Sequence, residues 1–235
     1  MMESSYFSRE ELTQLRTHGI VLFANRVIFD AQPPMTSAAI SSLQDLIGGK
    51  IPEALITLWQ LTSGGRLDYD LSVSMHGREE PISWSELFYD RSDGYRDLTG
   101  WINYERELAE DEADDRQEVW DGHLIGLPFG GFEYCDRIYI VVAQQSEDYG
   151  KIFAWKMGLP PAWTGAMHQD GVGLIGMDLY MAFRALRLNA DPLVATEEYF
   201  TGSELLGYLD DCKDNHGMPA PLADKLIAFY MDAIK

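Results

Sequence analysis

The sequence is poor in cysteine and contains no long apolar run. Two cysteines, Cys135 and Cys212, occur in 235 residues, and they stand far apart outside any Cys-x-x-Cys spacing. This excludes a disulfide framework and a four-cysteine zinc site, and it favours the reducing cytoplasm. No basic segment followed by an apolar one opens the sequence, and no run of roughly 18 apolar residues follows, so we expect neither export nor membrane insertion.

Basic residues are also scarce. Lys and Arg number 18 against 38 Asp and Glu, which gives a formal net charge of −20. Direct binding to nucleic acid needs clustered basic side chains that neutralise phosphates, so we exclude it and expect a basic protein partner instead. Because 46% of the residues are hydrophobic and 12% are aromatic, the chain is too apolar for an acidic disordered protein.

Helix and strand signals alternate along the chain. Ser8 with Glu11 forms a capping box, and Thr36 opens an amphipathic helix that ends at Gly48. Pro52 fits the first turn of a further helix, and Gly64 is predicted to be the left-handed residue that follows its end.

Strands are predicted from residue patterns of another kind. The stretch "RLDYDLSVS" alternates apolar and polar residues, as a strand with one wet face does. The segments "HLIGLPF", "RIYIVVA" and "KIFAWKM" predict a three-stranded meander, and three helices are expected over 178–188, 203–214 and 222–234, with Asp178 and Ser203 as caps. Helices followed by antiparallel strands and more helices predict an α+β fold, with a small bent antiparallel sheet and helices packed around it.

Two blocks resemble the SUKH superfamily. The first is "PPMTSAAISSLQDLIGGKIPEALITLWQLTSGGRLDYDLSV", in which an amphipathic helix, a Gly turn, an Ile-Pro-Glu helix start and a Gly-Gly helix end follow in order. The second comprises the strands "LIGLPFGGFEYCDRIYIVV" and "YGKIFAWKMG", where Cys135 stands in place of the usual Gly. The resemblance implies one SUKH-like domain over 1–235, with an acidic insertion around 81–122 and a helical C-terminal extension.

The resemblance also implies a non-enzymatic role in binding proteins. Many bacterial members resemble immunity proteins that neutralise a toxin, often a nuclease, whereas fungal members resemble scaffolding regulators of cell-wall synthesis. Both hypotheses remain open at the level of sequence. In neither do we expect a cofactor or a metal ion.

An acidic run, "ERELAEDEADDRQE", provides the candidate binding surface. It would either be a solvated helix face or mimic a polyanion that occupies the basic cleft of a toxin. The adjacent aromatic residues are candidate anchors. The predicted partner-binding residues are Asp68, Asp70, Trp101, Tyr104, Glu105, Glu107, Glu110, Asp111, Glu112, Asp114 and Asp115.

Other chemical motifs are incomplete. The carboxylates lack the spacing of an EF-hand calcium loop. The segment "GVGLIG" satisfies G-x-G-x-x-G, but no strand precedes it, so we predict a loop and no nucleotide site. A third hypothesis is an enzyme with a dispersed site, for which His168 and Asp170 would form an acid-base pair.

Overall fold

The computed structural model describes residues 6–75, 77–92, 94–156, 163–164, 166–167, 171–195 and 200–234. The helices are α1 (Arg9–Thr17), α2 (Ser37–Ile47), α3 (Glu53–Leu61), α4 (Leu98–Asp115), α5 (Leu179–Ala185), α6 (Ser203–Asn215) and α7 (Ala220–Met231). The strands are β1 (Val21–Phe23), β2 (Arg26–Ile28), β3 (Gly65–Arg66), β4 (Ser72–Met75), β5 (Arg78–Pro81), β6 (Glu86–Leu87), β7 (Gly126–Phe132), β8 (Asp136–Val141), β9 (Ile152–Lys156), β10 (Trp163–Thr164), β11 (Ala166–Met167) and β12 (Val172–Gly176).

The centre of the fold is a six-stranded antiparallel sheet with the order β12-β9-β8-β7-β6-β3. The predicted meander forms its middle as β7, β8 and β9, and register shifts in β7 and β12 interrupt the regular pairing. Such bulges bend a strand locally. The α+β prediction is therefore confirmed.

The helix boundaries of the first 50 residues follow the local signals. Ser8 and Glu11 form the predicted capping box of α1, and the side chain of Thr36 accepts a hydrogen bond from Ala39 N at the start of α2. Gly48 ends α2 with a φ of 69°, a conformation that glycine adopts without a steric penalty. These boundaries depend only on neighbouring residues, which is why the sequence predicts them.

Gly64 was predicted to be the left-handed residue after the end of α3, and this prediction is wrong. Helix α3 ends in an extended Thr62, and it is Gly65, with a φ of 153°, that has positive φ. A Cβ atom on Gly64 would lie 2.4 Å from Cδ1 of Tyr89. Close packing by a ring 25 positions further along the chain therefore explains the glycine.

The alternation in "RLDYDLSVS" correctly predicts burial but not one continuous strand. Leu67, Tyr69, Leu71 and Val73 are all buried, yet regular pairing is confined to β3 and β4. The intervening residues connect instead to the C-terminal part of the chain, where Asp70 forms a backbone bridge with Arg187.

The segment "GVGLIG" forms a strand, so the predicted loop is wrong. Its residues Val172–Gly176 make up β12, which pairs antiparallel with β9 at one edge of the sheet. A Cβ atom on Gly173 would lie 2.4 Å from Cγ1 of Val73, so this glycine permits the β4–β5 hairpin to pack closely. The antiparallel pairing agrees with the exclusion of a βαβ nucleotide site.

The three C-terminal helices form where predicted, but one predicted cap is wrong. Asp178 accepts a hydrogen bond from Met181 N at the start of α5, as expected. Ser203 does not cap α6, because it is the first helical residue and follows Gly202. The capping side chain for α6 comes from Asp68.

Residues 81–122 contribute to the core of the molecule. This segment supplies strand β6 and helix α4, and Trp84, Phe88, Leu98 and Ile102 are buried in the hydrophobic cluster. That the segment is an insertion relative to the family core stays a prediction.

Candidate protein-binding surface

Helix α4 carries most of the predicted binding residues. Asp97 caps its start by accepting a hydrogen bond from Gly100 N. Its buried residues, Leu98, Trp101, Ile102 and Glu105, lie on one face of the helix, because each has another of them three or four positions away, and they pack toward the sheet. All four lie before Arg106, so the rest of the helix has no fully buried residue.

The C-terminal half of α4 presents acidic side chains to solvent. We call five of them the acidic face: Glu107, Glu110, Asp111, Asp114 and Asp115. Among the described residues, none of the five forms an ion pair. The acidic face therefore carries five exposed negative charges within about two and a half turns of helix.

The two arginines of the acidic run contact residues outside the acidic face. Arg116 forms an ion pair with the half-buried Glu112, one turn earlier on α4. Arg106 lies with its Cζ atom 5.5 Å from the centre of the Trp120 ring. Glu112 is thus neutralised locally, and we do not include it in the acidic face.

Glu105 was predicted to contact a partner, but the structure buries it. Its side chain is 6% exposed, and Oε1 accepts a hydrogen bond from the Tyr139 hydroxyl at 2.6 Å. Arg137 Nη1 lies 3.4 Å from the same oxygen. Burial raises the pKa of this carboxyl, while the bonds from Tyr139 and Arg137 act in the opposite direction. Glu105 is a structural residue that joins α4 to strand β8.

Asp68 and Asp70 also bind within the chain. Asp68 Oδ2 accepts hydrogen bonds from the backbone N–H groups of Glu204 and Leu205, at 2.9 and 3.0 Å. Asp70 accepts one from the Thr201 hydroxyl at 2.8 Å and one from Asn189 N at 2.9 Å. Both carboxylates fasten the C-terminal part to the rest of the molecule, so we leave them out of the binding surface.

An aromatic pocket opens beside the N-terminal half of α4, with a volume of about 420 Å³. Trp101 and Tyr104 contribute to it, as do Tyr95, Tyr134 and Trp155, together with Arg137, Gly94 and Gly100. Trp101 is buried, whereas Tyr104 and Tyr134 are 43% and 61% exposed. Of the two predicted anchors, Tyr104 is therefore available at the surface and Trp101 forms part of the wall.

Sequence reasoning missed Arg137. Its Cζ atom lies 4.4 Å from the centre of the Trp101 ring and 4.3 Å from that of Trp155, distances typical of cation–π contacts. A signal was present, because Arg137 begins the otherwise apolar run "RIYIVV", which supplies most of β8. A buried position for a charged residue in such a strand requires partners, and the aromatic rings and Glu105 provide them.

The described part of the chain shows no site that would support the enzyme hypothesis or metal binding. His168 and Asp170, the acid-base pair of the enzyme hypothesis, lie outside the described residues. No group of three or more potential metal ligands occurs among the residues that are described. In the same residues, no helix is long and apolar enough to cross a membrane.

The fold and the surface together are those of a mixed α+β protein with an acidic helix beside an aromatic pocket. Comparison with protein families gives a match to the SMI1/KNR4 family (SUKH-1) over residues 34–173, more than half of the chain. The chain therefore belongs to this family, and the resemblance found in the sequence is confirmed. Neither the curated proteins nor the solved structures gave a match.

The matched range includes the acidic face and the aromatic pocket, while helices α5 to α7 lie beyond it. Membership supports a role at the level of the family, whose domains are generally non-catalytic and often bind protein partners.

Proposed function

We propose that this protein is a cytoplasmic immunity protein that neutralises a toxin domain by binding it through the acidic face of α4. The observation that carries the proposal is the set of five exposed carboxylates without ion-pair partners among the described residues. A toxin that acts on nucleic acid needs a basic cleft to hold phosphates, and an array of carboxylates on a rigid helix complements such a cleft.

Electrostatics would act mainly on the rate of association. A protein with a net charge of −20 attracts a basic partner over long distances, and complementary charge permits association rates on the order of 10⁸ M⁻¹s⁻¹ at low salt. Added salt screens this attraction because the Debye length falls to about 8 Å at physiological ionic strength.

The first test is the genomic neighbourhood. The proposal predicts that a gene for a large secreted toxin lies directly upstream, and the C-terminal domain of that toxin is the probe for binding. A gene standing among housekeeping genes would instead favour the alternative function, a scaffold that binds an endogenous protein.

The second test reverses four charges of the acidic face, in the variant Glu110→Lys, Asp111→Lys, Asp114→Lys and Asp115→Lys. We expect it to lose binding to the toxin domain in surface plasmon resonance and to lose protection of cells that express the toxin. A matched control reverses four exposed carboxylates on other elements, with the same change in net charge: Asp45, Glu147, Asp214 and Asp224.

The control separates a local interface from overall charge. If the acidic face is the interface, the control variant keeps its slow dissociation and its protection, although its association slows. Unchanged binding by the α4 variant would contradict the proposal.

A further inference from the structure

The aromatic pocket contains a cation whose hydrogen-bonding capacity is largely unused. A guanidinium group has five N–H donors, and in the described residues the one hydrogen bond that Arg137 donates from its side chain goes to Glu105, at the long distance of 3.4 Å. The Nε atom is buried and has no acceptor among the residues that the structure describes. The side chain is 10% exposed and lines the pocket, so the access of water to its other N–H groups is restricted.

The neighbours of Arg137 do not replace the missing acceptors. The rings of Trp101 and Trp155 attract the cation through their π faces, but they lack the lone pairs that a conventional hydrogen bond requires. Oε1 of Glu105 already accepts the short hydrogen bond from Tyr139. A buried donor without an acceptor is costly, and a ligand that supplies one would remove this cost.

The lining of the pocket indicates the chemistry of such a ligand. Among the described lining residues, Arg137 is the one that carries charge at neutral pH, and the others are aromatic residues and glycines. A guanidinium matches the two oxygens of a carboxylate in a bidentate pair, whereas aromatic walls bind rings and apolar groups. The pocket thus complements a carboxylate that is attached close to an apolar or aromatic group.

The position of the pocket connects it to the acidic face. Tyr104 lines the pocket, and Glu107 and Asp111 follow it on the same side of α4, three and seven residues later. A pocket lined by a guanidinium group with unused donors and a helix face of exposed carboxylates thus lie side by side. A partner that brings a carboxylate to the guanidinium and basic groups to the helix face would have a preferred orientation.

From this geometry we infer that the aromatic pocket binds a carboxylate of the partner protein, carried next to an apolar or aromatic group, while the acidic face binds the partner's basic surface. This inference rests on the proposed function for the identity of the partner. The pocket itself can be tested without any partner protein.

The test uses a small probe that combines the two groups. N-acetyl-L-phenylalanine carries a carboxylate beside a phenyl ring, and its amide is the neutral control of nearly equal shape. Titration is followed by the NMR signals of the indole N–H groups of Trp101 and Trp155. We expect the acid to bind at least about tenfold more tightly than the amide, since hydrogen bonds between charged groups are roughly twice as strong as neutral ones.

Variants assign the binding to the pocket. Tyr134→Ala, at an exposed wall position, should weaken binding of the acid by roughly threefold to tenfold, while Tyr149→Ala, at an exposed tyrosine outside the pocket, should have no effect. Arg137→Lys retains a positive charge but loses the planar donor pair, so the preference for the acid over the amide should fall. If Arg137→Lys does not fold, Tyr134→Ala and the acid-amide comparison still decide the question.

The outcomes distinguish this inference from the proposed function. Equal binding of acid and amide, or the absence of binding, would overturn the carboxylate pocket and leave the acidic face untouched. The α4 variant with four reversed charges should bind the acid probe no more weakly than the native protein does, because none of the four residues lines the pocket. If Tyr149→Ala weakened binding of the acid as much as Tyr134→Ala does, the probe would bind outside the pocket, and this result would also overturn the inference.

Discussion

The first half of helix α4 faces the sheet, whereas its second half faces solvent, although the helix runs without interruption from Leu98 to Asp115. In the first half, Trp101 and Glu105 are buried against β8 and the aromatic pocket. In the second half, the acidic face has no ion-pair partners among the described residues. The comparison shows that glutamates two residues apart on one helix serve different purposes, with Glu105 holding the fold and Glu107 available to a partner.

The largest expected effect on stability comes from replacing Glu105, with Glu107 as the control. Glu105→Ala should lower the free energy of unfolding by about 3 to 5 kcal/mol, because it leaves the buried charge of Arg137 without its counter-ion. Glu107→Ala, the control, should change it by less than about 0.5 kcal/mol, since surface substitutions of this kind are nearly neutral. Urea denaturation measures both, and equal effects of the two substitutions would contradict the assignment of separate roles.

Asp68 extends the comparison to the C-terminal helices. Asp68→Ala removes the acceptor for two N–H groups at the start of α6 and should cost about 1 to 2 kcal/mol, as the loss of a helix cap does. Asp114→Ala on the acidic face is the matched control and should be neutral within about 0.5 kcal/mol. Were Asp68→Ala also neutral in urea denaturation, its role as the cap of α6 would be refuted.

The buried carboxyls should also determine how stability depends on pH. Burial raises the pKa of Asp68, Glu86, Glu105 and Asp136. The folded state then holds more protons than the unfolded state between each ordinary value and the raised pKa, so stability is full below that window and is lost as the pH rises through it. We expect these four carboxyls to make the free energy of unfolding fall as the pH rises from their ordinary pKa values through the raised ones.

Glu105→Gln tests whether the buried carboxyls cause this pH dependence. An amide cannot ionise, so the free energy of unfolding of the variant should depend less on pH. Hydrogen bonds lower the pKa of Glu10 and Glu11, so their contribution has the opposite sign and is lost only as the pH falls through their lowered pKa values. Urea denaturation across the range measures the balance. A free energy of unfolding that rises steadily with pH would disprove the expectation.

The smallest effect concerns the acidic face itself. Asp111 lies four residues from both Glu107 and Asp115, so Asp111→Gln removes two repulsions between like charges. Each such pair contributes about 0.2 to 0.5 kcal/mol, and we expect a gain in the free energy of unfolding of about 0.5 to 1 kcal/mol. Thermal denaturation at low salt should detect the gain and high salt should remove it; a loss of stability would mean that Asp111 has a structural partner.

Much of the fold could be predicted from local signals. The capping box at Ser8, the left-handed Gly48 and the strands of the meander all depend on residues within a few positions of each other. Prediction failed where a residue distant in the chain determines the local structure. Close packing by Tyr89 requires the glycine at position 64, and Asp68, not Ser203, caps α6. The strand β12 was missed because glycine weakens the alternating pattern while pairing with β9 stabilises the strand.

Family membership, the α+β class and the strong negative charge could all be read from the sequence, because they follow from composition and from patterns among neighbouring residues. Which carboxylates are exposed depends on the tertiary structure. Asp68, Asp70 and Glu105 are acidic like the rest, but the free energy of a charge depends on the groups that surround it in space, and these come from segments distant in the chain. The same holds for Arg137, whose tryptophan neighbours come from a helix and another strand.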